Sequence, residues 1–257
     1  MNSAARLLSI LGLWLAAHSA QAITCDSSTN DEYLDGRQPV LLNSDMNSGT
    51  LTLCKQEYNL YASKVTGTNL WSAQHLTEAR VLGAESITRI DMNFTSETGF
   101  PTTHSSYTNS GYDRGHMMPA GDASTNTAQR ETFSIANVVP QTPTLNRNKW
   151  RVIEETVRMV AKSYGEAYIV TGPDFATMST TINSGKVMVP TQTWKAVYVP
   201  EAQVAGAYWC ENTGTPTCKL ISINQLKSDA FVDAFPTLPS SLRDQTSADW
   251  EDILVLP

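Results

Sequence analysis

One amphipathic helix sets the terms for everything else in this chain. From about Leu145 to Tyr164, the residues Trp150, Ile153, Val157, Val160 and Tyr164 recur at three- and four-residue spacing. That is the signature of a single buried face. Gly165 supplies a stop at its C-terminal end. The remaining apolar runs are short and strand-like. They are Tyr58–Val65, Ile87–Phe94, Phe133–Val139, Ala167–Thr171, Lys186–Val189, Trp194–Val199, Val204–Trp209 and Leu220–Ile223. Ile87–Phe94 alternates and reads as an edge strand, while Pro140 is read as the stop for Phe133–Val139. Leu76–Leu82 reads as a short helical turn. Ser222 with Gln225 resembles a capping box opening a helix that runs to about Phe235, where Pro236 ends it. A last turn is expected near Ser247–Leu254. Residues 23–50 and the Thr/Ser/Gly/Pro-rich stretch 95–112 read as loops. The mixture predicts an α+β fold with mostly antiparallel strands in a central sheet. No repeat or linker divides the 257 residues, so residues 23–257 are expected to form one domain.

The first 22 residues read as a secretory signal peptide. Arg6 provides the positive start, Leu7–Ala17 is apolar, and Ala20-Gln21-Ala22 fits a small-x-small cleavage site, with cleavage after Ala22. As a helix the apolar run would span roughly 16 Å, about half a bilayer core. The expected location is therefore the periplasm or the medium, with no membrane association after cleavage. Export makes the four cysteines, Cys25, Cys54, Cys210 and Cys218, candidates for disulfides. Three pairings exist, and the most local, 25–54 with 210–218, is preferred. The net charge of −7 excludes a protein that coats nucleic acid by charge alone. It leaves room for a local basic cleft.

The chemistry concentrates in Asp113-Arg114-Gly115-His116-Met117-Met118-Pro119, in a chain with only four histidines. An arginine can grip a phosphate with two parallel hydrogen bonds, and an imidazole can take a proton from water near neutral pH. Two further blocks follow: Asn137-Val138-Val139-Pro140-Gln141, and Leu145-Asn146 with Trp150 four and Glu154 eight residues after the asparagine. Eight helical residues separate two side chains by two turns and about 80°, so Asn146 and Glu154 can flank one site.

Together these three blocks resemble the DNA/RNA non-specific endonucleases, the His-Me-finger or ββα-metal group. The resemblance is sharpest over residues 107–175 and extends from about 57 to 225. It implies His116 as the general base activating water. It implies Asn146 as the single protein ligand of Mg²⁺, with Mn²⁺ the alternative ion and water completing the coordination. It also implies Glu154 as the acid holding water around that ion, Asn137 as the residue fixing His116 or substrate, and Arg114 as a phosphate clamp. Arg89 is the best match to an upstream family arginine. DNA and RNA are the implied substrates. An adjacent Mg²⁺ and Arg114 should hold His116 neutral, and activity is expected to fall as His116 protonates in acid.

Each residue also has a plainer role. Asn146 suits a helix cap, Glu154 can pair with Arg158 one turn on, Asn137 suits a strand end, and Arg114 can pair with Asp113 or Asp122. Asp113 and Asp122 are read as structural, and His75 and His104 as surface or core residues. Thr171-Gly172-Pro173 reads as a strand-to-loop turn. Two other functions stand beside the nuclease: a non-catalytic binding module on the same fold, and a phosphodiesterase for small esters. A cationic groove around Arg89, Arg114, Arg147 and Lys149 would favour the nuclease, and a small closed pocket the esterase.

Overall fold

The structure, a computed structural model, describes Cys25 and residues 31–175, 180–250 and 253–256. The expected signal peptide lies outside the described residues. In chain order the strands are β1 (Val40–Leu41), β2 (Thr50–Cys54), β3 (Asn59–Ser63), β4 (Thr68–Thr77), β5 (Asp113–His116), β6 (Val138–Gln141) and β7 (Glu166–Asp174). They continue with β8 (Thr181–Ile182), β9 (Val187–Met188), β10 (Gln192–Val199), β11 (Val204–Glu211), β12 (Cys218–Ile221) and β13 (Val232–Asp233). The helices are α1 (Glu78–Glu85), α2 (Asn126–Thr132), α3 (Arg151–Tyr164), α4 (Ile223–Ala230), α5 (Ser240–Arg243) and α6 (Ser247–Trp250).

Seven strands form one sheet in the order β12-β11-β10-β7-β4-β3-β2, and every neighbouring pair is antiparallel. This is the α+β, antiparallel architecture the sequence predicts. Side chains alternate between the two faces along each strand. On one face, Trp71, Ala73, Val170, Trp194, Ala196, Ala205 and Ala207 meet α4 and the Phe235–Leu242 segment. On the other, Leu76, Ile169, Val197, Val199 and Tyr208 receive Ile153, Val157 and Val160 of α3. A third cluster, including Tyr58, Leu60, Met118, Ile135 and Val138, lies between β3 and the β5–β6 hairpin. The stripe of α3 is thus buried against the sheet, as its spacing requires.

The disulfides are Cys25–Cys54 and Cys210–Cys218, the preferred local pairing. The first ties the N-terminal segment to the end of β2; the second staples directly opposed residues of β11 and β12. Among the described residues, no helix is long and apolar enough to cross a membrane.

Several element assignments need correction. Leu76–Leu82, read as a helical turn, is helical from Glu78, where α1 begins; its first two residues end the ten-residue β4, a central strand that the sequence reading lacks. Its polar residues at buried positions hid its strand character. Ile87–Phe94 joins no strand, and two of its amides bond to side chains instead: Ile90 N donates to Gln129 Oε1 and Phe94 N to His104 Nδ1. Phe133–Val139 divides into a 3-10 turn, Ile135–Asn137, and β6, which runs through Pro140. Thr171-Gly172-Pro173 lies inside β7; a β-carbon at Gly172 would stand 2.5 Å from the Leu70 carbonyl oxygen, so only glycine fits. Helix α4 keeps its Ser222 cap, whose hydroxyl accepts from Gln225 N, but stops at Ala230 because Phe231 turns left-handed at φ 54°.

Candidate active site

Strands β5 and β6 pair antiparallel, His116 opposite Val138 and Gly115 opposite Val139, and the chain then enters α3. This is a strand–strand–helix unit mounted on the inner face of the sheet. Residues alternate along β5. Arg114 and His116 point into a cleft. Gly115 faces the other way, where a β-carbon would lie 2.3 Å from Gln141 Oε1. The glycine of Asp-Arg-Gly-His is therefore demanded by packing.

The cleft measures about 560 Å³ and is open to solvent; its walls include Arg89, Arg114, His116, Asn146 and Glu154. Five of the six expected reactive residues therefore meet in one place. Arg147, Arg151 and Arg158 also line it, whereas Lys149 does not. A basic cleft thus exists on an acidic protein.

Asn137 is the residue that does not reach the cleft. It is fully buried behind β5. Its Oδ1 accepts from Met118 N at 3.0 Å and from Ser72 Oγ at 2.9 Å, and its Nδ2 donates to the Met118 and Thr132 carbonyls, both at 2.9 Å. Substrate contact is ruled out by this geometry. What Asn137 fixes is the backbone two residues beyond His116.

His116 sits between Phe94 and Phe133, with ring centroids at 5.0 and 5.4 Å. Its Nε2 is buried, with no hydrogen-bond partner among the described residues. Burial first, and then the Arg89 charge, drive its pKa down to about 3. The imidazole is therefore neutral at any physiological pH. The expected cause, Arg114, is replaced by burial and Arg89. Arg89 in turn lies over the Phe133 ring at 5.8 Å.

Arg114 pairs with neither Asp113 nor Asp122. Its guanidinium lies 5.4 Å from the Tyr107 centroid and 5.9 Å from Phe94, and donates to the His104 carbonyl at 2.7 Å. Two aromatic faces and one acceptor fix the fork while leaving donors for an anion. His104, expected to be inert, thus supports the site twice, through its carbonyl and through the Phe94 amide its ring accepts.

The segment Leu145–Trp150 is a π-helical turn, a local widening common at functional sites. Asn146 Nδ2 donates to Asp113 Oδ2 at 2.9 Å. Arg147 grips both oxygens of the same carboxylate, Nε donating to Oδ2 at 2.8 Å and a terminal nitrogen to Oδ1 at 2.6 Å. Burial pushes Asp113 up, but these hydrogen bonds prevail and hold it below the usual carboxylate range. Asp113 is structural, as expected. With the amide nitrogen of Asn146 committed, its oxygen is the free donor, a hard ligand suited to Mg²⁺. No group of three His, Cys, Asp or Glu among the described residues could form a metal cage. The site thus fits an ion that keeps most of its water.

Glu154 does not pair with Arg158, whose guanidinium bonds Asp122 at 2.7 Å. No hydrogen bond from a described residue reaches the Glu154 carboxyl. Burial raises its pKa to about 7, against the opposing charges of Lys195, Arg158 and Arg89.

Beneath the site runs a buried polar seam absent from the sequence reading. Ser72 meets Asn137, Gln74 meets Asp122 at 2.7 Å, Thr193 meets Gln141 at 3.1 Å, and Thr171 meets Lys195 at 2.7 Å. All five sheet residues, Ser72, Gln74, Thr171, Thr193 and Lys195, stand on the inner face of β4, β7 and β10. The available signal was a polar residue at an inward position of an otherwise apolar strand, as in Thr193-Trp194-Lys195-Ala196-Val197.

A neutral buried histidine, an amide oxygen and a carboxylate set on a ββα unit define the fold class of the ββα-metal nucleases. The profile of the DNA/RNA non-specific endonucleases matches residues 40–239, and the chain belongs to that family. It is 33% identical to Nuclease C1 of Cunninghamella echinulata var. echinulata over 153 residues, covering 54% of this chain and 61% of that protein. It is 36% identical to a Nuclease of Nostoc sp. over 160 residues, covering 60% of this chain and 56% of that one. Mitochondrial Endonuclease G of Caenorhabditis elegans is 37% identical over 114 residues, 42% of this chain and 37% of that one. The matches thus span about three fifths or less of these relatives. In fold, the chain resembles a chain of the solved EndoG/EndoGI complex, with a TM-score of 0.63 at 24% identity over 72% of this chain and 86% of that chain.

Proposed function

We propose that the protein is an endonuclease that hydrolyses phosphodiester bonds of DNA and RNA with little sequence preference, using a divalent ion, Mg²⁺ or Mn²⁺. The observation that carries this reading is the neutral, desolvated His116 facing an open, arginine-lined cleft. A general base must be unprotonated at working pH, and burial secures that. His116 takes a proton from the attacking water. Arg89 and Arg114 bind the phosphate oxygens, where charge builds as phosphorus becomes pentacoordinate. The Glu154 carboxylate accepts hydrogen bonds from water in the cleft. Asn146 would hold the ion, which supplies further charge neutralisation at the phosphate.

Contacts from arginines go to phosphate and carry no sequence information, which supports indifference to base. The cleft's width and openness favour a polymer over a small ester. Export to the periplasm or medium is supported by the leader-like N-terminus and the two disulfides. The test uses the purified chain with disulfides intact, on plasmid, single-stranded DNA, RNA and bis(p-nitrophenyl) phosphate, each with Mg²⁺ and with EDTA. Metal-dependent cleavage of the polymers is expected. Turnover of the small ester alone would replace the nuclease reading with a phosphodiesterase; no turnover of any of them would leave a binding module.

A further inference from the structure

Lys195 is the one buried lysine among the described residues, 1% exposed in the middle of β10. A buried ammonium is costly unless its charge is used or compensated. Among the described residues its hydrogen bond goes to a neutral group, Thr171 Oγ1 at 2.7 Å. The Trp150 ring lies over it, 5.5 Å from Nζ to centroid. Lys195 shares the inner face of the sheet with Val197 and Val199, so it points at the opening of α3. There the chain carries Asn146, Trp150 and Glu154. The charged groups acting on this spot from other elements are Asp122 of the Ala120–Asp122 turn, Arg158 of α3 and Arg89 of the loop after α1.

We propose that Lys195 is a positioning residue for hydrolysis: anchored on Thr171 and roofed by Trp150, its ammonium lies beneath the opening of α3 as the counter-charge that keeps the Glu154 carboxylate charged. The inference rests on the nuclease reading above and adds to it the residue that makes Glu154 a competent acceptor. Asp122 also acts on Lys195, but its two oxygens already have donors in Gln74 and Arg158, both at 2.7 Å. Glu154 has no such donor, and without the lysine it would face Asp122 with less to keep it ionised. Placing the counter-charge beneath the sheet-facing side of α3 leaves the cleft side of Glu154 free for water. An arginine there would fill the space water needs.

The experiment compares wild type, Lys195→Met, Glu154→Gln and the double variant, all as full chains with disulfides intact. Methionine keeps the length and packs beneath Trp150 without charge. In K195M, kcat is expected to fall roughly 10- to 100-fold with KM little changed, the usual effect of removing an orienting partner. The loss should be greater at pH 6 than at pH 9, because the carboxyl has lost the charge that kept it ionised. In the Glu154→Gln background the same substitution should cost little, since Lys195 acts through Glu154. A second readout needs neither metal nor substrate. The difference in melting temperature between metal-free wild type and K195M should widen from pH 6 to pH 8, and Glu154→Gln should abolish the widening.

A K195M enzyme with wild-type kcat across pH 6–9, or a loss fully additive with Glu154→Gln, would overturn the proposal. If K195M does not fold, Thr171→Val removes only the anchoring hydroxyl and carries the same test: a pH-dependent loss of kcat supports the proposal and none refutes it. Failure of the wild type to cleave would sink the nuclease reading itself, whereas a cleaving wild type with an unaffected lysine variant sinks this inference alone.

Discussion

Asn146 Nδ2 donates to Asp113 Oδ2 at 2.9 Å, so the first residue of Asp-Arg-Gly-His aims the residue proposed to hold the metal, 33 positions away. The strand and the helix of the ββα unit are coupled through this one carboxylate, both of whose oxygens Arg147 also holds. Asp113→Ala should therefore lower activity at limiting Mg²⁺ by roughly 10- to 100-fold and raise the Mg²⁺ needed for half-maximal rate. The fold should survive, since the substituted side chain is partly exposed. Titration of activity with Mg²⁺ checks it; an unchanged half-saturation would dismiss the coupling.

The pH dependence should come from Glu154 and not from His116. With its pKa near 3, His116 stays neutral throughout the working range. Glu154, raised to about 7, must lose its proton to accept from water. The expected profile of log kcat/KM falls with unit slope below about pH 7 and is level above it. Glu154→Gln should be slower and lack that limb. A limb that persists in Glu154→Gln would return the role to another group.

Stability carries the opposite signs for the two residues. His116 has a folded pKa below its ordinary 6.5, so its contribution is present above that value and is lost as pH falls toward 3. Glu154 has a folded pKa above its ordinary 4.5, so its contribution is present below 4.5 and is lost as pH rises through 7. Melting temperatures of His116→Phe and Glu154→Gln, measured from pH 4 to 8, should separate the two. His116→Phe gains on wild type in acid, and Glu154→Gln gains above pH 7. The reverse order would contradict the burial argument.

Asn137→Ala should be a stability variant first. It strands four buried partners, the Met118 amide and carbonyl, the Thr132 carbonyl and the Ser72 hydroxyl. Loss on the order of 3–5 kcal/mol follows, lowering the melting temperature by about 10 °C. Below that transition, kcat should change less than in any variant of a cleft residue. A cold-active, heat-labile enzyme is the expected phenotype, read by calorimetry beside a rate at 15 °C.

Arg114→Lys keeps the charge and loses the fork held between Phe94 and Tyr107. KM for plasmid should rise several-fold and kcat fall by about 10-fold or more. A variant kinetically equal to wild type would show that Arg114 acts as a point charge only.

The class of fold and most of the site were legible because both depend on local patterns. The α3 stripe announced a buried helix face, and three short blocks at fixed spacing brought His116, Asn146 and Glu154 together. What escaped depends on tertiary context. β4 carries Ser72, Gln74 and His75 at buried positions, and their partners on other elements, such as Asn137, Asp122 and Glu166, cannot be seen from strand propensity. Ile87–Phe94 has a strand's alternation, but its amides found side chains first. Lys195 belongs to no motif, and only the assembled sheet shows it buried. His104 had no motif, because a backbone carbonyl does half its work.

The most direct test of the account is plasmid cleavage by wild type and His116→Ala, side by side in Mg²⁺ at pH 8 with an EDTA control. The account predicts nicking and linearisation by the wild type, abolished by EDTA, and a rate at least about 100-fold lower in the folded variant. Equal cleavage by a folded His116→Ala would contradict it, because the neutral histidine in the arginine-lined cleft would then not be the base.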